Sequence, residues 1–474
     1  MPLRFFNTAS RAVEDFVPRD PAGKAVGIYC CGPTIHDFAH IGNFRTFVFA
    51  DLVRRHLESK GLKVRHVMNI TDVEDKIIKR VREHKTSLRD YTAKYEAAFF
   101  EDFDALNCLR PHDAPRASEH ISDIIQLIEK LVARGVAYRA PDGSVYFSIE
   151  KYQACGCHYG RLLKLNFDEM RPGERVSSDE YAKDAAADFA LWKARVPEDG
   201  DIFWPSPWGE GRPGWHIECS AMSMKSLGPS FDLHLGGEDL IFPHHEDEIA
   251  QSEGAGVQAA GEPFVKYWLH GAHLLVEGKK MSKSLGNYFT LRDLLAKGFS
   301  GREVRYLLLA AHYRESFNFT LEGLQGARTA LARIDECLGK LAEIGASAEA
   351  SPTEPALVRE FAAAMDDDFN VAAAWGGIFE WIRDTNIRLV ANKIAAGEAK
   401  ALLAAWSRIN AVLGLPEKKT DAGELDPSLQ KLLDERAAAR KARDFKRSDA
   451  IRDELKAKGW VIEDTPKGAR LKRI

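Results

Sequence analysis

No apolar run in the chain approaches the roughly 18 residues needed to cross a bilayer. The N-terminus, Met1-Pro-Leu-Arg-Phe-Phe-Asn7, lacks the long apolar centre and small-residue cleavage site of a secretory signal. No membrane attachment is expected, and a cytoplasmic location is. Cysteine is scarce and odd in number, seven in 474 residues. A disulfide framework is therefore not expected, and each thiol is weighed singly as ligand, nucleophile or core residue. Basic residues are not in excess: 66 Lys and Arg face 70 Asp and Glu, leaving a formal charge of −4. That excludes a surface coated for nucleic acid and leaves only local patches for it. No long-period repeat is present. What remains is an ordinary globular balance, 45 % hydrophobic and 29 % charged. At a soft prior of roughly 150 residues per domain, the length suggests about three domains.

Val26 to Cys31 is a short, apolar, β-prone run that ends in the turn signal Gly32-Pro33. After His40-Ile-Gly-Asn43, the stretch Phe44 to Ser59 has helical periodicity. Phe47, Val48, Leu52, Val53 and Leu57 fall on one side of it, and Gly61 is a stop. Lys63-Val-Arg-His-Val-Met-Asn-Ile70 reads as a second strand. Strand, turn, helix, strand is a βαβ unit, so the expected class is α/β. A doubly wound, Rossmann-like parallel sheet is expected in a catalytic domain over residues 1–315. Thr71-Asp-Val-Glu74 reads as a capping box ahead of Ile77, Ile78 and Val81, which gives Glu74 a structural role. An insertion is expected at about 108–205, with a hairpin around Pro141-Asp-Gly143 and a turn-rich passage near Arg171-Pro-Gly173. The sheet pattern resumes near Trp215. Residues 316–415, rich in Ala and Leu at helical spacing, predict a helical bundle. Residues 416–474 predict a small mixed α/β domain: a linker to Pro427, one helix from Ser428 to Lys458, and two strands around Pro466-Lys-Gly468.

Three constellations carry chemistry. In Pro243-His-His-Glu-Asp-Glu248, Pro243 suits the first turn of a helix, and His244 and Glu248 stand four apart on one face. Imidazole and carboxylate at that spacing can share a metal ion, with Cys31 and Cys219 as candidates for the remaining ligands. The same residues also fit a plain ion pair and two core thiols. His40-Ile-Gly-Asn43 sits between strand and helix, where free backbone N–H groups attract phosphate. Gly42 admits close approach there, and His40 can donate to charge developing on a transferred phosphate. Lys279-Lys-Met-Ser-Lys-Ser284 lies in a Gly-bounded polar stretch. Its ammonium groups suit a triphosphate clamp, although by themselves they fit a solvated basic loop better.

Together, His-Ile-Gly-x on the first strand–helix turn and the later Lys-Met-Ser-Lys-Ser resemble the class I aminoacyl-tRNA synthetases. Further motifs are similar to the cysteinyl-tRNA synthetase family: Cys31-Gly-Pro-Thr34, Met68-Asn-Ile-Thr-Asp-Val-Glu-Asp-Lys76, Arg212-Pro-Gly-Trp-His-Ile-Glu-Cys-Ser-Ala-Met222 and Gly236-Gly-Glu-Asp-Leu-Ile-Phe-Pro-His-His-Glu246. They run in family order and the likeness extends over essentially the whole chain. It implies that Cys31, Cys219, His244 and Glu248 hold one zinc ion, His244 being preferred to His245, and that the sulfur of the substrate L-cysteine joins it. It implies Thr34, Trp215 and His234 around the cysteine. His40, Lys280 and Lys283 are the expected catalytic residues, with Gly42, Asn43, Gly236 and Asp239 also beside the ATP or adenylate. The implied reaction joins cysteine to tRNA(Cys) through cysteinyl-adenylate, with Mg²⁺ accompanying ATP. Residues 416–474 would bind the anticodon, and a monomer is expected.

The physical case for zinc is selectivity. Serine differs from cysteine only by oxygen for sulfur, and packing separates such pairs by only about 1–3 kcal/mol. A metal carrying two thiolates prefers a further thiolate to a hydroxyl. Two positions depart from the family pattern: Asn43 stands where a second histidine is usual, and Leu471 where Trp is common. Cys155-Gly-Cys157-His158 crowds three potential ligands without an evident fourth. Cys30, Cys108 and Cys337 read as core thiols. His216 and His270 fit either a histidine cluster or ordinary packing. Two rival functions are a cysteine ligase with an amino-sugar acceptor and a catalytically silent RNA-binding paralogue. The C-terminal region opposes the first, and His40, Lys280 and Lys283 oppose the second.

Overall fold

The computed structural model describes residues 2–163, 188–281, 285–346, 349, 355–416, 427–465 and 468–473. They include two compact units, Met1–Pro416 and Glu417–Ile474.

The apolar run after Lys24 is the strand Ala25–Cys30, and Lys63–Met68 pairs parallel to it. Phe231–Gly237 lies on its other side, followed by Val265–Gly271, so the sheet has four parallel strands. The sheet resumes at Phe231, not at Trp215, because Trp215–Leu227 forms a helix. Both neighbours of the first strand run the same way. The chain order reverses beside it, and the carboxyl ends there are where doubly wound sheets bind ligands. Cys31 follows that strand directly, its N–H bonded to Leu235 O at 3.2 Å.

The helix Ile41–Ser59 crosses from the first strand to the second, and its apolar face (Phe44, Phe47, Val48, Leu52, Val53, Leu57) is buried. Gly61 follows at φ +84°, a conformation that ends a helix at little cost to glycine. The capping box expected at Thr71 is replaced by a later cap. Glu74 itself is the N-cap of Asp75–His84 and accepts from Lys76 N at 2.7 Å. Thr71 instead bridges to Thr34, with its N–H on Pro33 O at 3.1 Å.

Beyond the first βαβ unit, Ala137–Arg139, Val145–Phe147, Phe189–Ala194 and Gly211–Pro213 form an antiparallel sheet. Its first hairpin turns at Pro141-Asp-Gly143, as the sequence suggests. The passage near Arg171-Pro-Gly173 lies outside the described residues. Four helices, Leu321–Gly345, Ala356–Asp366, Val371–Val390 and Ala396–Leu413, build the helical region. They share one continuous apolar core with the parallel sheet. A fully buried ion pair, Arg305 to Asp51, joins the helix Gly301–Leu308 to the helix after the first strand. Arg305 also donates to Leu413 O at 2.7 Å.

The second unit has two helices, Pro427–Lys441 and Phe445–Ala457, where one was expected. Arg443 takes φ 60°, and Asp444 caps the second helix by accepting from Arg447 N at 3.0 Å. A hairpin follows, Trp460–Thr465 against Gly468–Arg473. Trp460, Ile462 and Leu471 pack on the small core of Leu429, Ile451 and Leu455. Among the described residues, no helix is long and apolar enough to cross a membrane.

Candidate active site

Four elements converge at the carboxyl end of the first strand. Cys31 comes from the strand end and Cys219 from the helix Trp215–Leu227. His244 lies in a wide helical turn, Ile241–His245, that runs into Glu246–Gly254, which carries Glu248. Pro243 therefore sits in this wide turn, ahead of the regular helix. Cys31 Sγ lies 3.9 Å from Cys219 Sγ and 3.5 Å from both His244 Nε2 and Glu248 Oε1. His244 Nε2 is 3.0 Å from Glu248 Oε1. All four side chains are buried. A tetrahedral zinc, with sulfur at about 2.3 Å and nitrogen or oxygen at about 2.0 Å, spans donor edges of about 3.8 Å for S–S, about 3.5 Å for S–N and about 3.3 Å for N–O. The donor set and its spacing fit that ion.

A second set overlaps the first: Cys31, His234, His245 and Glu248 also bring their ligand atoms together. His245 Nε2 is 3.4 Å from Cys31 Sγ. His234 Nε2 holds the other Glu248 oxygen at 2.9 Å, and its ring stacks on Trp268 at 4.5 Å. Burial raises the Glu248 carboxyl, but His234 and His244 outweigh it and bring it down to about 2. Burial likewise lowers His244, yet the Cys219 sulfur and Glu248 raise it to about 10. The Cys31 thiol is pushed up by burial and donates to Cys219, whose own value that hydrogen bond brings down to about 6. Together these groups form a centre rich in negative donors and holding exchangeable protons, as a divalent cation requires.

Trp215 stands at the rim, 39 % exposed, its ring 4.6 Å from that of His244. Thr34 is half-buried beside Thr71. His216 and His270 both join the histidine cluster: His216 Nδ1 is 2.7 Å from His244 Nδ1, and His270 Nε2 is 2.7 Å from His245 Nδ1. Sequence reasoning missed Tyr29 and Glu218. Tyr29 is buried on the strand that delivers Cys31, and burial with the nearby Cys219 and Cys31 keeps its phenol protonated. Glu218 is wholly buried, and neither carboxyl oxygen has a hydrogen-bond partner among the described residues. Burial and the neighbouring Cys219 raise its carboxyl well above the ordinary range.

The candidate nucleotide end centres on His40, which caps the helix Ile41–Ser59. Its Nδ1 accepts from Asn43 N at 3.2 Å, and Asn43 Oδ1 accepts from His40 N at 3.1 Å. The ring proton is thereby left on Nε2, the nitrogen free to donate outward. Burial lowers the imidazole further, favouring this neutral form. Asn43 thus has a local purpose that a search for phosphate contacts did not anticipate: it closes a capping box. A Cβ on Gly42 would lie 2.6 Å from Met281 Cε, so the missing side chain makes room for the Lys279-Lys280-Met281 strand end. A Cβ on Gly236 would lie 2.5 Å from His245 Cε1, so this glycine admits the histidine cluster. Asp239 is exposed and near enough to His40 to act on its charge. Lys280 is exposed on a short strand paired with Leu274–Val276. Lys283 lies outside the described residues. Ile41 N donates to Phe289 O at 3.0 Å, joining the start of the signature helix to the segment that follows the lysines.

Cys155, Cys157 and His158 are not among the described groups whose ligand atoms converge. Cys30, Cys108 and Cys337 are buried thiols.

Comparison with known proteins agrees along the whole length. The tRNA synthetases class I (C) catalytic domain matches residues 19–329, a DALR domain 360–417, and the Cysteinyl-tRNA ligase anticodon binding domain 422–470. The chain is 45 % identical over 496 aligned positions to the cysteine–tRNA ligase of Chlamydia muridarum, covering all of both chains. It is 46 % identical over 479 positions to that of Solibacter usitatus, again covering all of both. Among solved structures, it is similar to Mycobacterium tuberculosis methionyl-tRNA synthetase in complex with methionyl-adenylate. There the TM-score is 0.61 at 16 % identity, over 83 % of this chain and 92 % of the other, a likeness of fold. By sequence and fold together, the chain belongs to the cysteinyl-tRNA synthetase family of class I aminoacyl-tRNA synthetases.

Proposed function

We propose that this chain is a cysteine–tRNA ligase that activates L-cysteine with ATP and transfers it to the 3′-terminal adenosine of tRNA(Cys). The observation that carries the reading is the buried Cys31–Cys219–His244–Glu248 cluster on the same sheet edge as the His40 helix cap. Zinc held by those four residues supplies a soft Lewis-acid centre that favours a thiol over a hydroxyl. Thr34 and Trp215 bound the amino-acid pocket, and His234 shapes it through its hold on Glu248.

Activation joins the cysteine carboxylate to the α-phosphate of ATP and releases pyrophosphate. His40 donates its Nε2–H to charge developing on the phosphate, and Lys280 and Lys283 neutralise the departing pyrophosphate. Asp239 stands near the ribose, Gly42 and Asn43 lie beside the nucleotide at the helix start, and Mg²⁺ enters with ATP. A terminal adenosine hydroxyl of the tRNA then attacks the activated carbonyl and releases AMP. No covalent enzyme intermediate is needed; positioning and charge complementarity carry the rate. Domain roles follow: residues 1–315 catalyse, 316–415 support, and 416–474 bind the anticodon arm as a monomer. The second unit carries Arg440, Lys441, Arg443, Lys446 and Arg447 for phosphate contact. Trp460 serves its core.

Cysteine-dependent exchange of pyrophosphate into ATP, followed by charging of total tRNA, tests the reading. Exchange and charging together support it. Absence of exchange removes the enzyme activity, and exchange without charging points to another acceptor such as an amino-sugar.

A further inference from the structure

His244 and His245 both aim Nε2 at Cys31, so the protein must determine which of them meets the metal. A histidine binds a metal through a ring nitrogen that carries no proton, and the partner of its other nitrogen sets the tautomer. For His244, a free Nε2 requires a proton on Nδ1, donated to His216 Nδ1 at 2.7 Å. His216 then carries its proton on Nε2, which faces Asp247 Oδ2 at 3.4 Å. A carboxylate oxygen serves there as acceptor. The Tyr159 hydroxyl donates to the other Asp247 oxygen. Tyr159 and Asp247 are wholly buried, and the segment bearing Tyr159 is pinned: Gly160, Arg161 and Leu162 donate their N–H groups to Glu246 at 2.7, 3.1 and 2.9 Å.

The row behind His245 ends differently. Its Nδ1 meets His270 Nε2 at 2.7 Å, and His270 Nδ1 meets Thr8 Oγ1 at 2.7 Å. A hydroxyl donates or accepts with equal ease, so this row leaves the His245 tautomer open.

We propose that Tyr159 and Asp247 are positioning residues that hold His244, through His216, with its Nε2 lone pair toward the metal, and thereby select His244 over His245 as the ligand. This rests on the reading of Cys31, Cys219, His244 and Glu248 as ligands. It draws the segment after the helix Ile149–Ala154 into the metal centre, a contribution no local motif signals.

The test is zinc titration of the full-length chain against a chromophoric chelator, for the parent, Asp247→Leu, Asp247→Asn and Tyr159→Phe, with folding checked by circular dichroism. Removing such an outer partner of a metal ligand typically weakens binding by about 10- to 100-fold. That loss is expected for Asp247→Leu, with a smaller one for Tyr159→Phe. Asp247→Asn, which keeps an acceptor oxygen, is expected between Leu and the parent. The KM for cysteine rises while that for ATP holds, and ¹⁵N signals of the histidine rings report a lost Nδ1–H tautomer. Zinc affinity in Asp247→Leu within twofold of the parent overturns the proposal, as does equal loss in the Asn and Leu variants. Should Asp247→Leu fail to fold, Tyr159→Phe decides: unchanged affinity and unchanged ring signals overturn it. The titration reads zinc without catalysis, so a parent that binds zinc but charges no tRNA counts against the ligase function alone. A parent that binds no zinc overturns both.

Discussion

His244 Nε2 stands 3.0 Å from Glu248 Oε1, one turn along the same run of helix, and both face Cys31 Sγ at 3.5 Å. Two residues near in sequence therefore meet a third from a distant strand end inside a buried centre. On the proposed function, removing one soft donor from that centre should change both metal retention and the choice of amino acid.

Cys219→Ser replaces a thiolate with a hydroxyl that zinc holds weakly. The expected result is loss of zinc on gel filtration and a cysteine KM raised at least about tenfold, in line with the effect of weakened ligation on metal affinity. Metal analysis beside steady-state exchange kinetics checks it. Parent-like zinc content and kinetics would remove Cys219 from the site.

His40→Ala separates the two ends of the active site. With the Nε2–H donor gone, the pyrophosphate-exchange rate should fall by about 10²–10³, the usual cost of one donor to transition-state charge. Zinc content should stay that of the parent, because His40 is not part of the metal cluster. A variant that retains the parent's exchange rate contradicts the role given to His40.

How far the sequence could reveal this depends on the range of the interaction. The signature helix, the parallel strands and the hairpin at Pro141-Asp-Gly143 rest on local periodicity and turn chemistry, and all three are found. The metal set needs contacts among residues 31, 219, 244 and 248, which only the folded sheet brings together. Residue patterns alone left a plain ion pair and core thiols as open readings beside the metal. Family likeness pointed to the metal set but not to His245, whose approach to Cys31 depends on room left by Gly236. Caps were the least legible. Thr71 and Glu74 compete for one helix start, and Asn43 closes a box with a histidine, a side chain outside the usual capping set. The split after Lys441 turns on a left-handed Arg443, which no periodicity announces.

Asp51 and Arg305 form a buried pair whose partners are all within the protein. Asp51 also accepts from Arg55 at 2.8 Å and from Leu109 N at 2.8 Å. Asp51→Asn leaves the Arg305 charge uncompensated, which costs about 3–5 kcal/mol. Urea unfolding should show that loss, and replacing both residues by Leu and Met should recover part of it. A single variant within about 1 kcal/mol of the parent would contradict the pairing as described.

His66 gives the chain an acid limit. Burial, with Arg54 nearby, lowers its imidazole to about 3, and neither ring nitrogen has a hydrogen-bond partner among the described residues. The unfolded chain takes up a proton below about 6.5 while the folded one does not until about 3, so stability falls as pH drops through that window. Between pH 7.5 and 5.0 this histidine should account for about 2 kcal/mol. His66→Leu should lower the pH dependence of unfolding by that amount. An unchanged dependence would show that His66 is protonated in the folded state.

The most direct test of the account is charging of total tRNA with labelled amino acid by the zinc-loaded, full-length chain. Cysteine should accumulate on tRNA with ATP present and serine should not, and chelation of the zinc should abolish the difference by removing cysteine transfer. Failure to charge tRNA with cysteine, or charging with serine to the same extent, would contradict it.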